Sequence, residues 1–229
     1  MKISIQELAR KYPAASEYIT QIYLILRDYS YCNNSRLAEH IGVSASAVSQ
    51  AVLRLKRQEL VSQDRYGMIS LSDEGVVLAE QLLRRHYLLE YLMVKRLEFP
   101  WELADLEAGQ LQDKVSHDFI SHLEEFLDYP KTCPHGNPFP DHPEAEKILS
   151  APRLSRCRQG DRIEIVRISE EGERLSGLLH ACHEAAVVPG KRFTVDTVSD
   201  ETVTLMPEGQ ELPIELQSAF CEQICVYVT

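Results

Sequence analysis

The stretch from Ser35 to Leu71, SRLAEHIGVSASAVSQAVLRLKRQELVSQDRYGMISL, constrains this chain more than any other. It reads as helix, glycine turn, polar-faced helix and two-stranded ribbon, the layout of a winged helix-turn-helix. Leu37, Ala38 and Ile41 have the spacing of an inward face, and Gly42 offers a backbone able to turn sharply ahead of Val43. Ser44 is placed to cap the next helix. There Val48, Val52 and Leu55 keep helical spacing, which turns Ser46, Ala47, Ser49, Gln50 and Arg54 away from the core. Gln50 can bond an adenine edge through both its donor and its acceptor, small neighbours permit close approach, and Arg54, Lys56 and Arg57 can neutralise phosphates. Ser35, Arg36 and Ser44 complete the expected contact set. A helical hairpin without DNA would share part of this pattern, but the ribbon from Leu60 to Leu71, turning near Tyr66-Gly67, sits where a wing belongs.

A net charge of −11 is at odds with nucleic-acid binding until it is divided along the chain. Residues 1 to 85 hold eleven Lys/Arg against nine Asp/Glu, a surplus of +2, and the remainder carries −13. The basic part is therefore the part with the helix-turn-helix, and binding is expected to be selective, dimeric or conditional. No apolar run approaches the roughly 20 residues a bilayer requires, so a cytoplasmic protein with no membrane partner is expected. Six cysteines in 229 residues do not make a disulfide framework, and reduced thiols are the default. Cys32 and Cys182, among helical patterns, read as core or half-buried residues.

Residues 13 to 30 predict an amphipathic helix with Tyr18, Ile22 and Leu26 on one stripe. After the ribbon, Ser72 followed by Asp73 and Glu74 marks a helix start, and the apolar pattern runs on to about Leu97. A second long helix is expected from about Glu102 to Leu127, stopped by Tyr129-Pro130. Two such helices exceed what a small DNA-binding unit needs and suggest a dimerisation arm matched to paired half-sites. From Pro130 to Pro152 the chain is rich in Pro, Gly, Asn, Asp and His and reads as a linker with a short helix near Glu144. Beyond it, strands are expected over Arg162 to Ile168, Phe193 to Val198, Val203 to Met206 and Ile224 to Val228, with a helix over Glu173 to Ala185. That is a small β-barrel of SH3 type. The fold class is thus mainly α with a small β-barrel: a winged helix-turn-helix over residues 1–72, a helical dimerisation and metal-binding domain over 73–140, a linker over 141–154 and an SH3-like domain over 155–229.

With these pieces in order, the sequence resembles the diphtheria-toxin-repressor and manganese-transport-regulator family of metal-dependent transcriptional repressors. The anchors are SEYITQIYLI (Ser16 to Ile25), VSASAVSQAVLRL (Val43 to Leu55), LSDEGVVLAEQLLRRHYLLEYL (Leu71 to Leu92) and CPHGNPFP (Cys133 to Pro140), and the likeness spans nearly the whole chain. The C-terminal part is similar to the ferrous-transport-associated SH3-like domain of many members. The resemblance implies a homodimer, joined through its middle helices, that binds double-stranded operator DNA when Fe²⁺ or Mn²⁺ is bound.

His86 and Glu90, four residues apart on one helix, leave the same face and can ligate one cation. Alone the pair is weak evidence, but RHxLLE is where the family supplies two ligands. Glu17 falls where the family places a Met or an acid, and an acid there suits a hard cation. The second long helix departs from the pattern. An ungapped register puts Asp105 where a ligand His is usual, Gly109 where Cys or Glu is usual, Gln112 in place of a Glu and Asp113 in place of a His. Asp105, Asp113 and Gln112 still offer oxygen, so the resemblance implies a mixed His/carboxylate site. A one-turn shift would bring Asp113 and His117 into ligand positions, and Glu171 and Glu173 lie near positions from which some iron-responsive members lend an extra ligand.

Either this altered site survives, or metal control has given way to another signal. The cysteines supply the rival, a thiol redox sensor or an iron–sulfur cluster. Cys221 and Cys225 would share one face of a strand, Cys182 sits in HACHE with His180 and His183, Cys133 precedes His135, and Cys157 opens the C-terminal part. None of these matches an established zinc or iron–sulfur spacing. With no nucleophile-and-base arrangement and no phosphate-binding Gly loop, an enzyme is not expected. The other alternative is a protein-interaction module, which would lack the steep salt dependence of duplex binding.

Overall fold

The computed structural model describes residues 4–209 and 212–229. The chain forms two compact units, one from the residues up to Leu89 together with Leu106–Tyr129, the other from Glu90–Asp105 and Pro130–Thr229.

In the first unit the helices are α1 (Ile5–Lys11), α2 (Ala15–Tyr29), α3 (Asn34–Ile41) and α4 (Ala45–Arg57), followed by strands β1 (Val61–Gln63) and β2 (Ile69–Leu71) and by α5 (Asp73–Arg96), most of which lies here. Ser44 accepts from the Ala47 backbone N–H and starts α4 as expected, and Ser72 accepts from Gly75 N to start α5. Val48, Val52 and Leu55 of α4 pack with Ile19, Ile22 and Ile25 of α2, Leu37 of α3 and Ile69 of the ribbon in one core. β1 and β2 pair antiparallel, and Asp64 Oδ1 ties their turn by accepting from Tyr66 N and Met68 N, both at 2.8 Å. The winged helix-turn-helix read in the sequence is therefore present. α1 lay outside that reading.

The second long helix, expected to run unbroken from Glu102 to Leu127, is instead divided. A 3-10 turn (Trp101–Leu103) leads into α6 (Ala104–Leu111), and α7 (His117–Phe126) starts afresh. Ser116 accepts from Phe119 N to cap α7, and the carbonyl freed at Val115 accepts from Arg85 Nη1 at 2.7 Å and from Gln6 Nε2 at 2.9 Å. The break is thus satisfied by partners distant in sequence.

The second unit contains the short helix α8 (Ala145–Leu149), a 3-10 turn (Leu154–Arg156) and a five-stranded antiparallel sheet. Strands β3 (Arg162–Ile168), β4 (Arg192–Val198), β5 (Thr202–Pro207), β6 (Ile214–Gln217) and β7 (Ile224–Val228) pair in the order β6-β5-β4-β3-β7. No β6–β7 pairing closes the sheet among the described residues, so the barrel expected here is an open sheet curved by irregularities after Ile165 and Val195. Ile163, Ile165, Phe193, Val195, Val203, Leu205, Leu216, Ile224 and Val226 form its core with Trp101, Leu178 and Cys182. The helix expected over Glu173 to Ala185 is two pieces, α9 (Glu170–Glu173) and α10 (Leu178–Glu184), because Gly177 at φ +84° reverses the chain between them. Cys221 lies in α11 (Ser218–Cys221), whereas Cys225 lies in β7, so the two cysteines do not share a strand.

Candidate functional site

The exposed side of α4 is built as the sequence required. Ser44, Ser46, Ser49, Gln50, Arg54, Lys56 and Arg57 are exposed and Ala47 is half-buried; Ser35 is exposed and Arg36 partly so. Two residues outside the expected set organise this surface. Asn34 Nδ2 donates to Ser49 Oγ at 2.9 Å, while Gln63 Nε2 donates to Asn34 Oδ1 at 3.1 Å, linking the ribbon to α4 through the start of α3. Arg36 lies over the rings of Tyr29 and Tyr31, with centroid distances of 3.8 and 4.7 Å, and donates to the Tyr31 hydroxyl, so its guanidinium is held in place.

In the same unit, Gln112 stands against His86. Gln112 Oε1 accepts from His86 Nδ1 at 3.2 Å, and both side chains are buried. Gln112 thus acts as an orienting partner of the imidazole. Glu17 is exposed in the first turn of α2. Asp113 is half-buried and favours the charge of buried Arg85, against the burial that lowers it. His117 is exposed, with Nδ1 3.0 Å from Ser121 Oγ. Among the described residues none of Glu17, Asp113 and His117 joins a cluster of three ligand-capable side chains, and Gly109 has no side chain to offer.

The second unit holds such a cluster. Glu90 from α5 meets Cys133 and His135 from the CPHGNPFP turn, all three buried, with ligand atoms within 4.8 Å of one another. The turn exists because Gly136 sits at φ +91°, where a Cβ would lie 2.2 Å from the Val166 carbonyl oxygen, and because Cys133 and Asn137 close it with a 2.9 Å backbone hydrogen bond. His135 Nε2 lies 3.0 Å from the Trp101 carbonyl oxygen. A carbonyl only accepts, so Nε2 carries a proton and Nδ1 faces the carboxylates, 3.6 Å from Glu90 Oε1 and 3.3 Å from Glu173 Oε2. Neither Nδ1 of His135 nor Oε2 of Glu173 has a hydrogen-bond partner, although both are buried. Asn137 Nδ2 donates to the other Glu173 oxygen and to the Ile168 carbonyl, and Arg167 Nη1 donates to Asn137 Oδ1 at 2.8 Å, so a second layer of buried groups fixes Glu173.

Negative charge dominates the electrostatics of this cluster. Burial alone would lower the His135 pKa, but Glu90, the Trp101 carbonyl and Asp105 outweigh it and raise the pKa above its ordinary 6.5. Burial, and then the carboxylates of Glu170, Glu90 and Asp105, push Glu173 well above the usual carboxylate range, with Arg167 acting in the opposite sense. Burial and the charges of Glu90, Glu173 and Glu170 likewise raise the Cys133 thiol. Orphaned nitrogen and oxygen atoms that converge on one point, with a thiol beside them, fit a divalent cation: it would satisfy them together and reverse each of these shifts. Of the residues expected as ligands, Glu90 belongs to this cluster, Glu173 approaches it with Oε2 3.3 Å from His135 Nδ1, and Asp105 acts on it through its charge. Glu171, half-buried on α9, does not belong to it. Cys133 and His135 were legible only as part of a motif.

A DNA-reading winged helix and a buried ligand cluster together define a metal-responsive regulator of transcription. The model of the iron dependent repressor N-terminal DNA binding domain matches residues 12–69, and that of the iron dependent repressor metal binding and dimerisation domain matches residues 72–141. The iron-dependent repressor IdeR of Mycobacterium tuberculosis is 31% identical over 217 residues, covering 88% of this chain and 93% of that protein, and its Mycobacterium leprae counterpart is 28% identical over 214 residues, covering 88% and 93%. Among solved structures, a manganese-dependent transcriptional repressor in complex with manganese superposes with a TM-score of 0.79 at 27% identity, covering 94% of this chain and all of that one. ScaR with bound Cd²⁺ gives 0.74 at 27%, covering 94% and 99%. The chain belongs to the diphtheria-toxin-repressor family of metal-dependent, DNA-binding transcriptional repressors. The family consists of repressors and not enzymes, and among the described residues no helix is long and apolar enough to cross a membrane.

Proposed function

We propose that this chain is a homodimeric repressor of metal-homeostasis genes whose operator affinity depends on Fe²⁺ or Mn²⁺ bound at an altered site. Residues 1–72 read the operator, 73–140 dimerise and supply most of the ligands, 141–154 link, and 155–229 lend Glu173. The observation that carries the reading is His135, whose Nδ1 is aimed at Glu90 and Glu173 beside Cys133 with its other nitrogen committed to Trp101. A bound cation supplies positive charge that lets these buried acids remain ionised side by side. Glu90, Glu173 and Asp105 are hard oxygen donors, His135 is intermediate, and the Cys133 thiolate shifts the preference from Mn²⁺ towards Fe²⁺. His86 precedes Glu90 by one turn on α5 and is the next donor along that face.

The loss of side-chain chemistry at Gly109 and the exposure of Glu17 favour the CPHGNPFP cluster over a site on α2, α6 and α7. Thiol sensing is not favoured. All six cysteines are buried, burial first among the causes that raise Cys32 and Cys157 to about 11 and Cys182 and Cys221 to about 12. Among the described residues no three cysteines converge as an iron–sulfur cluster would need.

Calorimetry on chelator-treated protein tests the reading. Mn²⁺, or Fe²⁺ under anaerobic conditions, should bind wild type and lose affinity on His135→Ala. Unchanged affinity in that variant would remove the cluster from the site.

A further inference from the structure

Four side-chain hydrogen bonds run in series from the ribbon to α4, and the backbone carbonyls at the two ends fix the direction of all of them. Gln63 Nε2 lies 3.1 Å from the Gly67 carbonyl oxygen and 3.1 Å from Asn34 Oδ1. A carbonyl only accepts, so the atom facing Gly67 is the amide nitrogen, and it commits one hydrogen to Gly67 and the other to Asn34. Asn34 therefore turns its oxygen towards the ribbon and its nitrogen towards α4, where Nδ2 donates to Ser49 Oγ at 2.9 Å. At the far end Ser49 Oγ donates its only hydrogen to the Ala45 carbonyl oxygen at 2.9 Å.

One donor and one acceptor are left over. Among the described residues no other hydrogen bond engages these two groups, so Asn34 keeps the second hydrogen of Nδ2 and Ser49 keeps one lone pair. Ser49 stands exposed next to Gln50 on the outer side of α4, and Asn34, the first residue of α3, is half-buried beside it. Turning the Asn34 amide over would set its nitrogen against that of Gln63, so the ribbon holds the polarity of the pair.

We propose, on the reading that residues 1–72 bind the operator, that Asn34 and Ser49 form a composite recognition pair for one adenine in the major groove, with Gln63 as its positioning residue. In that groove adenine alone presents an acceptor, N7, and a donor, the N6 amino group, on one base. Guanine shows two acceptors, cytosine a donor, and thymine an acceptor with a methyl group. The open hydrogen of Asn34 meets N7, and the open lone pair of Ser49 meets N6. A phosphate does not match the pair, since its oxygens only accept and would leave the Ser49 lone pair facing negative charge. The pair lies beside Gln50, whose single amide offers both groups, and adds a second selective position to the operator.

The test uses the full chain and a duplex it selects from a random library, with and without Mn²⁺. Adenine analogues are placed in that duplex one position at a time: 7-deazaadenine, which lacks the N7 acceptor, and purine, which lacks the N6 amino group. At one adenine, wild type should lose roughly tenfold in affinity with either analogue, read by fluorescence anisotropy. Asn34→Ala should be indifferent to 7-deazaadenine there, and Ser49→Ala indifferent to purine. Gln63→Ala should shrink both penalties and add nothing in an Asn34→Ala background, a non-additivity that a merely structural role would not produce. The analogues change only the DNA, so the wild-type arm needs no variant to fold. If wild type prefers the selected duplex but no adenine shows this pattern, or if both Ala variants weaken selected and scrambled duplexes equally, the proposal fails while operator binding stands. A wild type with no preference for any duplex would overturn the operator reading and the proposal with it.

Discussion

The imidazole of His135 donates from Nε2 to the backbone carbonyl of Trp101 at 3.0 Å, and this one bond decides the chemistry of the opposite nitrogen. With Nε2 committed, Nδ1 alone faces Glu90 and Glu173, as a proton holder in the metal-free protein and as a ligand when a cation displaces that proton.

Proton and cation therefore compete, which sets the pH dependence. The pKa of His135 is raised above 6.5 in the fold, so its contribution to the stability of metal-free protein is complete below about pH 6.5 and is lost as pH rises through the folded value. Glu173, raised well above 4.5, acts in the same direction. The melting temperature of chelated protein should fall as pH rises above 6.5, and the increase on adding Mn²⁺ should grow over the same range. A metal-induced shift that shrinks as pH rises would contradict this, and thermal melts at a series of pH values read it directly.

The layer behind the ligands is expected to matter almost as much. Asn137→Ala removes the donor that fixes Glu173 and the acceptor that holds Arg167, so metal affinity should drop by roughly 10- to 100-fold. Calorimetry on the folded variant measures it, and an unchanged constant would show that Glu173 needs no support from Asn137.

On the DNA side, Gln50→Ala should cost about 1–3 kcal/mol for the preferred operator and relax selectivity, because a base contact is lost. Arg54→Ala should weaken all duplexes more evenly and reduce the salt slope. Fluorescence anisotropy against an operator and a scrambled duplex separates the two effects. An unaltered preference after Gln50→Ala would remove it from the reading set.

Phe119 and Phe126 stand two turns apart on α7 and are 44% and 59% exposed, more than an isolated surface needs. If the family's dimer forms through this region, Phe126→Asp should convert a dimer to a folded monomer at micromolar concentration in sedimentation. A dimer that survives the charge would place the interface elsewhere.

The winged helix was legible because its information is local. Period, cap and turn residues lie within 37 consecutive positions, and Ser44, Val48 and Val52 behave as their spacing requires. The division of the second long helix was not legible, since the apolar pattern continues past Gln112 and the bonds that satisfy the break come from Gln6 and Arg85. The metal cluster lies between these cases. Glu90, Asp105 and Glu173 stood out as acids in a resembled register, whereas Cys133 and His135 become ligands only when the turn at Gly136 folds against Glu90, 43 positions earlier than Cys133. Gln112 sat in a ligand position by register, and its amide holds His86 instead.

Operator affinity measured on one preparation, with and without metal, tests the central claim most directly. Chelator-treated protein is titrated into a duplex selected from a random library, first in excess chelator and then in Mn²⁺ or anaerobic Fe²⁺. Binding should be tight only with metal, with that gain lost in His135→Ala. Equal affinity with and without metal in wild-type protein would contradict it.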